Sequence, residues 1–375
     1  MKVLIFSLTY HPFIGGAEVA VKEITDRITD ILFDMITVNL DGKQKAEEKI
    51  GNVNVYRIGN SKKSKYFFPL QAFKFAEKLH AQNSYDAVWS IMANQAGLAA
   101  LFFKKKNPKI PFLLTLQEGD SEFDIWLRTF YIRPLYKSIY RRADYIQAIS
   151  HFLADRARSL GAKCAVEVVP NGVDLERIRN QESGIRNDKE KNIITTSRLE
   201  KKNGIDILIK AYKLLVIHYS LPITLKILGT GRLEGELKKL SKDLQIADRI
   251  EFLGHIHPCE IYSYLQKADI FVRPSRSEGL GSSFLEAMAC GIPVIGTQVG
   301  GIPDFLKDGE TGLFCKVDDP KDLAEKIELL LADENLYKKI SYNGRQLAIE
   351  KYQWFRIASR MKNIFNEITK KLQTL

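Results

Sequence analysis

The chain has 375 residues, too many for one ordinary hydrophobic core and comfortable for two domains. Hydrophobic residues make up 45% and charged residues 27%, which excludes disorder as the default. The net charge of +11, with 24 Lys/Arg against 17 Asp/Glu in residues 1–170, suits nucleic acid, anionic lipid or a phosphorylated substrate without choosing among them.

The elements follow in chain order. VLIFSL (3–8) is a short apolar run interrupted by Ser7 and followed by Gly15-Gly16; a first strand explains it better than a signal peptide. Ala17 to Leu32 carries apolar residues at helical spacing. Strand-like runs recur at 35–40, 87–92, 112–116, 145–150 and 166–170, with helical patterns around 71–82, 94–105 and 151–160. Residues 175–190 are polar and aperiodic, which is linker composition. The alternation then restarts, with strands at 192–199, 224–229, 249–254 and 269–275 and helices over 204–217, 233–244 and 258–267. Strand–helix alternation of this kind predicts an α/β chain of two doubly wound domains, breaking near residue 172. Open sheets of this type bind ligands beyond the carboxyl ends of their strands, so two of them predict an interdomain cleft.

The cysteines, Cys164, Cys259, Cys290 and Cys315, are widely spaced without a C-x-x-C, so reduced cytosolic thiols are expected rather than disulfides or a metal cluster. No run of about 18 apolar residues is long enough to span a bilayer.

Three constellations carry chemistry. Gly15-Gly16, after a strand and before a helix, allows close approach of backbone to a phosphate, although a tight β–α turn explains the same residues. Arg198 and Lys202 follow a strand and precede a helix, where two cations suit a diphosphate leaving group; a solvated charged loop is the competing explanation. The third is RPSRSEGLGSSFLEAMACGIPVIGTQVGGIPD (273–304), the most specific. Glu278 lies in a Gly-containing loop. A helix starts near Ser282 or Ser283 by a Ser-Ser cap signal, and Glu286 lies about a turn inside it. One carboxylate would face sugar hydroxyls, the other a ribose diol. A second Gly-Gly turn follows at 300–301.

Together GGAE (15–18), PNGVD (170–174), SRL…K…G (197–204), the Glu278/Glu286 pair spaced E-x7-E, and EAMACGIPVIGT…GG (286–301) resemble the retaining glycosyltransferases of the GT-B fold, family-4-like and group 1, in the glycogen-synthase-like superfamily. The resemblance covers nearly the whole chain. It implies an acceptor-binding Rossmann-like domain over 1–170, joined by a C-terminal crossover helix at about 352–375, and a donor-binding domain over 171–351. It further implies a metal-independent hexosyltransferase that takes its sugar from a UDP- or GDP-sugar, with no cofactor. The acceptor would be a sugar or lipid-linked glycan hydroxyl, in cell-envelope glycan, polysaccharide or glycolipid synthesis. Gly15 and Gly16 would approach the donor phosphate and the acceptor. Arg198 and Lys202 would neutralise the diphosphate, with Lys201 as rival to Lys202. Glu278 would lie beside the transferred sugar. Leu280, Gly281, Ser282 and Ser283 would bind phosphate and sugar through their backbone, and Glu286 would hold the ribose.

Two departures stand out. Gln117 occupies the place where the family commonly has a His near the reaction centre; Gln donates and accepts hydrogen bonds but does not titrate. Asn203 stands where the family's Arg-x4-Lys-Gly would have its Lys. His11, Glu118 and Asp120 are candidate acceptor contacts. Residues 126–142 hold five cations, no acids and several aromatics, which suits peripheral contact with an anionic membrane at its cytoplasmic face. His255 and His257 lack a third metal ligand. A non-catalytic nucleotide-sugar-binding protein on the same fold is the rival class, motivated by Gln117. Nucleic acid is not an expected partner, because no recognition helix, aromatic platform or zinc pattern accompanies the charge.

Overall fold

The computed structural model describes residues 1–180, 191–218, 223–258 and 260–371. Cys259, residues 181–190 of the expected linker and the end of the C-terminal segment, 372–375, lie outside the described residues. Two compact units are present: Met1–Asn171 with the segment from Trp354 onward, and Gly172–Gln353.

The strands of the first unit are β1 (Lys2–Phe6), β2 (Leu32–Val38), β3 (Glu47–Ile50), β4 (Val53–Ile58), β5 (Ala87–Ile91), β6 (Phe112–Leu116), β7 (Tyr145–Ala148) and β8 (Ala165–Val168). They form one sheet in the order β3-β4-β2-β1-β5-β6-β7-β8, parallel throughout except for the β3–β4 hairpin. β5 and β6 are buried at every position, which is why they read as unbroken apolar runs. The helices are α1 (Gly16–Arg27), α2 (Ser64–Asn83), α3 (Gln95–Lys106), α4 (Glu122–Thr129), α5 (Arg133–Arg142) and α6 (His151–Ser159).

The C-terminal helix, Trp354–Lys371, belongs to this unit's core. Its Phe365 ring packs edge-on against Trp89 (5.3 Å between centroids) and Phe33 (5.8 Å). Trp89 donates its indole N–H to the Thr115 hydroxyl at 2.7 Å, so the buried ring leaves no polar atom unpaired.

The second unit opens with α7 (Leu175–Asn180) and continues β9 (Lys191–Thr196), α8 (Ile205–His218), β10 (Ile223–Leu228), α9 (Glu234–Asp243), β11 (Ile250–Gly254), α10 (Ile261–Leu265), β12 (Ile270–Arg273), α11 (Ser282–Ala289), β13 (Val294–Thr297), β14 (Leu313–Cys315), α12 (Pro320–Ala332) and α13 (Glu334–Lys351). Its sheet is wholly parallel, in the order β11-β10-β9-β12-β13-β14.

Several expectations are corrected. The helix read to Leu32 ends at Arg27. Ile28 and Ile31 are buried in the following turn and Leu32 opens β2, so apolar residues at helical spacing came from three different structures. Residues 175–180 are helix rather than linker, with Ile178 buried. The hairpin β3–β4 was not expected from the sequence. The Ser-Ser signal does not cap α11: Gly281 is the cap residue, at φ 93°, and both serines lie inside the first turn. A Cβ at Gly281 would meet the Phe284 ring at 2.8 Å, so this cap needs glycine. The basic segment 126–142 is interrupted by a 3-10 turn, Phe130–Ile132, and α5 then starts with Pro134 in its first turn.

Candidate active site

The chemistry-bearing residues of the second unit lie where its strand order reverses. From β9 the chain winds outward through β10 and β11. It then crosses to β12 on the other flank of β9. Loops leaving β9 and β12 therefore diverge, and a crevice opens at their carboxyl ends.

The β9 loop carries Arg198, which is exposed and forms no ion pair among the described residues. A 3-10 turn, Lys201–Asn203, follows. Buried Asn203 donates its side-chain amide to the Arg198 carbonyl at 2.5 Å, closing the loop. Gly204 has φ 68°, and a Cβ there would lie 2.0 Å from the Pro274 carbonyl oxygen. The two loops thus touch backbone to backbone. Their union is strengthened from the other side, since the Lys202 carbonyl accepts from the Arg276 N–H at 2.6 Å. The Arg276 guanidinium is bidentate on Asp206 (2.9 and 2.8 Å) and also reaches Asp318 (2.6 Å). Of the two candidate lysines, Lys202 is the more buried.

Arg273, assigned no role from the sequence, is the hub. It ends β12 buried, ion-paired to Glu278 and donating to the Ser283 hydroxyl at 2.7 Å. Its Nε donates to the Ser275 hydroxyl at 3.2 Å, and its guanidinium lies over the Phe284 ring. Burial, and then the nearby Arg198, lower it to about 10, which leaves it charged at neutral pH. The signal available in the sequence was a cation at the end of the apolar run IFVR, since a buried cation requires partners.

Glu278 is held in the loop as expected. Besides Arg273, it accepts from the Gly279 N–H at 3.0 Å. Its carbonyl oxygen would lie 1.8 Å from a Cβ at Gly300, where φ is 55°. The second Gly-Gly turn is therefore the seat of the Glu278 loop. Leu280, in the same loop, is buried. Gly281, Ser282 and Ser283 form the start of α11, where first-turn N–H groups and the helix dipole favour an anion. Glu286 lies in the second turn. Burial pushes its carboxyl up to about 7 against the pull of Arg273. Its charge also faces Tyr262, whose hydroxyl burial and Glu286 hold well above the usual range.

In the first unit, Gly15 is the exposed cap residue of α1 and Gly16 its first residue; a Cβ at Gly16 would meet nothing within 4 Å. Glu18 folds back toward this helix start and accepts from the Thr9 hydroxyl. The α1 N-terminus is thus partly neutralised by its own chain. His11 sits on the β1 loop, its carbonyl accepting from buried Arg57 at 2.6 Å. Gln117 follows β6, with its side-chain oxygen accepting from Asn171 at 3.3 Å. Glu118 spends its carboxylate on backbone, accepting from Ala93 N–H (2.6 Å) and Gln117 N–H (3.1 Å), and burial raises its pKa. Asp120 pairs with Arg128 at 2.5 Å. His151 is the first residue of α6, capped by Ser150.

His255 and His257 lie in the loop after β11. Among the described residues no group of three or more His, Cys, Asp or Glu is placed to hold a metal ion, and no helix is long and apolar enough to cross a membrane. Cys164 and Cys315 are free thiols.

The chain matches the Glycosyltransferase Family 4 family over residues 14–177 and the Glycosyl transferases group 1 family over 176–347. An uncharacterised glycosyltransferase of Methanocaldococcus jannaschii is 29% identical over 370 residues, 98% of this chain and 99% of that protein. A GDP-mannose-dependent alpha-(1-6)-phosphatidylinositol monomannoside mannosyltransferase of Mycolicibacterium smegmatis is 29% identical over 253 residues, 62% of this chain and 66% of that protein. The solved structure of sucrose-phosphate synthase from Thermosynechococcus elongatus superposes with a TM-score of 0.82 at 20% identity, covering 99% of each chain. The two family matches adjoin near residue 176, just inside the second unit, and with the fold they lead to one conclusion: the chain belongs to the family-4-like, group 1 glycosyltransferases and has the GT-B fold.

Proposed function

We propose that this glycosyltransferase is a retaining hexosyltransferase that moves a sugar from a nucleotide-diphosphate donor to a hydroxyl of a glycan or glycolipid acceptor. The observation that carries the reading is the Arg273-centred constellation of Glu278, Ser283 and Glu286 at the start of α11, with Arg198 on the adjoining β9 loop. The nucleotide's ribose hydroxyls bind Glu286. The diphosphate lies against the α11 N-terminus, Arg198 and Lys202, whose positive charge stabilises it as it leaves. Glu278, fixed by Arg273, faces the transferred sugar. The leaving phosphate oxygen takes the acceptor proton on the same face, so the anomeric configuration is kept. These cations and helix N–H groups supply the charge that a metal would otherwise provide, and activity is expected to persist in a chelator.

Gln117 contributes a hydrogen bond rather than a proton at the reaction centre, with Gly15, Gly16, His11, Glu118 and Asp120 on the acceptor side. The Mycolicibacterium relative, named as a phosphatidylinositol monomannoside mannosyltransferase, supports a membrane-linked acceptor. We place the enzyme at the cytoplasmic face of the membrane, touching anionic lipid through the basic–aromatic residues 126–142. Thermal melts against a panel of UDP- and GDP-sugars identify the donor, because a ligand of the native state raises its melting temperature. NMR of the product anomeric centre then tests retention; a product of inverted configuration refutes the mechanism.

A further inference from the structure

Between α4, α5 and α6 of the first unit lies a groove of about 470 Å³, within the roughly 300–1,000 Å³ typical of small-molecule sites. One part of its wall is apolar: Phe123, Ile125, Trp126 and Leu160. Another part is cationic: Arg133, Lys137 and Arg156, against one carboxylate, Glu122.

Arg156 is 5% exposed. It donates to the carbonyls of Asp120 (3.0 Å) and Glu118 (3.5 Å) and lies over the Phe152 ring. Its Nε has no hydrogen-bond partner among the described residues. The nearest carboxylate, on the largely exposed Glu122, is 3.8 Å away, beyond hydrogen-bond range. A buried cationic donor without an acceptor is what an anionic ligand oxygen satisfies. From the groove an apolar strip runs outward over the surface. Phe123 stacks on Trp126 at 6.2 Å, Trp126 meets Phe130 at 5.1 Å, and Phe130 meets Tyr131 at 5.3 Å. All four rings are exposed. A contiguous exposed apolar strip marks a surface that another apolar group covers.

We infer that this groove binds a single-chain lipid carrying a phosphate head, with the phosphate at Arg156, Arg133 and Lys137 and the hydrocarbon along the Phe123–Tyr131 strip. The head then lies beside the Gln117–Asp120 loop, through the Arg156 bonds to the Glu118 and Asp120 carbonyls. The assignment of this lipid as the anchor of the acceptor hydroxyl rests on the glycosyl-transfer reading above; the binding itself does not.

The groove contains its own reporter. Trp126 is 40% exposed, whereas Trp89 and Trp354, the other tryptophans, are 0% and 5% exposed. Dodecyl phosphate, below its micelle concentration, is expected to shift the emission of the full chain to the blue and to protect it from acrylamide. Inorganic phosphate is expected to do neither, and dodecyl maltoside to bind at least tenfold more weakly. The double variant Arg133→Glu, Lys137→Glu should weaken dodecyl phosphate at least tenfold and leave dodecyl maltoside unchanged. Ile125→Asp, which alters the apolar wall, should weaken both. Circular dichroism establishes that each variant is folded. Equal affinity for phosphate and maltoside heads, saturation by inorganic phosphate, or an unchanged Trp126 signal overturns the proposal. So does binding confined to phosphatidylglycerol vesicles with none to the monomeric probe. Melts with nucleotide sugars are run on the same samples. Loss of the donor response with the lipid response intact would sink the transferase reading and leave the groove standing.

Discussion

Replacing Glu286 by Gln separates the stability of this site from its function. Burial raises the Glu286 carboxyl from its ordinary 4.5 to about 7. The folded chain therefore binds a proton that the unfolded chain has already released. The contribution is fully present below about pH 4.5 and is lost as the pH rises through about 7. Integrated to pH 8, it amounts to about 3 kcal/mol as an upper bound, because the side chain keeps some access to water. Gln cannot ionise and escapes this loss. Relative to wild type, Glu286→Gln is expected to become more stable by about 1–3 kcal/mol between pH 5 and pH 8, measured by urea unfolding at the two pH values. Its affinity for the donor nucleotide should move the other way. Losing charge-assisted bonds to a ribose diol costs about 1.5–3 kcal/mol, roughly 10–100-fold in Kd by calorimetry. Wild-type donor affinity should itself fall as the pH drops below about 7, where Glu286 takes up its proton. A stability difference that does not change with pH refutes the burial argument. Undiminished nucleotide affinity refutes the ribose assignment.

Three other substitutions probe the remaining parts. Arg198→Ala should lower kcat by about 10²–10³-fold if the residue stabilises the leaving diphosphate, while its exposure keeps the change in unfolding free energy, measured in urea, within about 0.5 kcal/mol. Gly300→Ala places a side chain at φ 55° against the Glu278 carbonyl, and should cost at least about 1–2 kcal/mol in unfolding and reduce turnover through Glu278. Phe365→Ala empties an aromatic position between Phe33 and Trp89, and should destabilise the first unit by about 3–5 kcal/mol; an unchanged melt would remove the C-terminal helix from that core.

Much of the architecture was legible because parallel strands buried on both faces have no polar alternation to obscure them. FLLTL and AVWSI could be little else between helical segments. The elements that escaped had weak or borrowed signals. β3 is EEKI, short and charged at three of its four positions, and it becomes a strand by pairing with β4 around Gly51 at φ 57°. Ile28, Ile31 and Leu32 continued the spacing of α1 after its backbone had turned, because periodicity registers side chains and not the path between them. The serines at 282–283 resemble a cap, but the φ 93° required just before the helix selects Gly281.

At the candidate site, the order of motifs along the chain was enough to mark the loops, since glycines such as Gly204, Gly281 and Gly300 are local demands of backbone geometry. It also marked Glu278 and Glu286 by their spacing. Only the tertiary structure decided how these groups act on one another. Arg273 joins Thr196, Glu278 and Ser283, residues up to 77 positions from it in the chain. The protonation of Glu286 depends on how deeply α11 is buried and on its distance from that guanidinium. Local sequence specifies turns, caps and periodicity. Desolvation and charge pairing act through space, so they are determined only when the chain has folded.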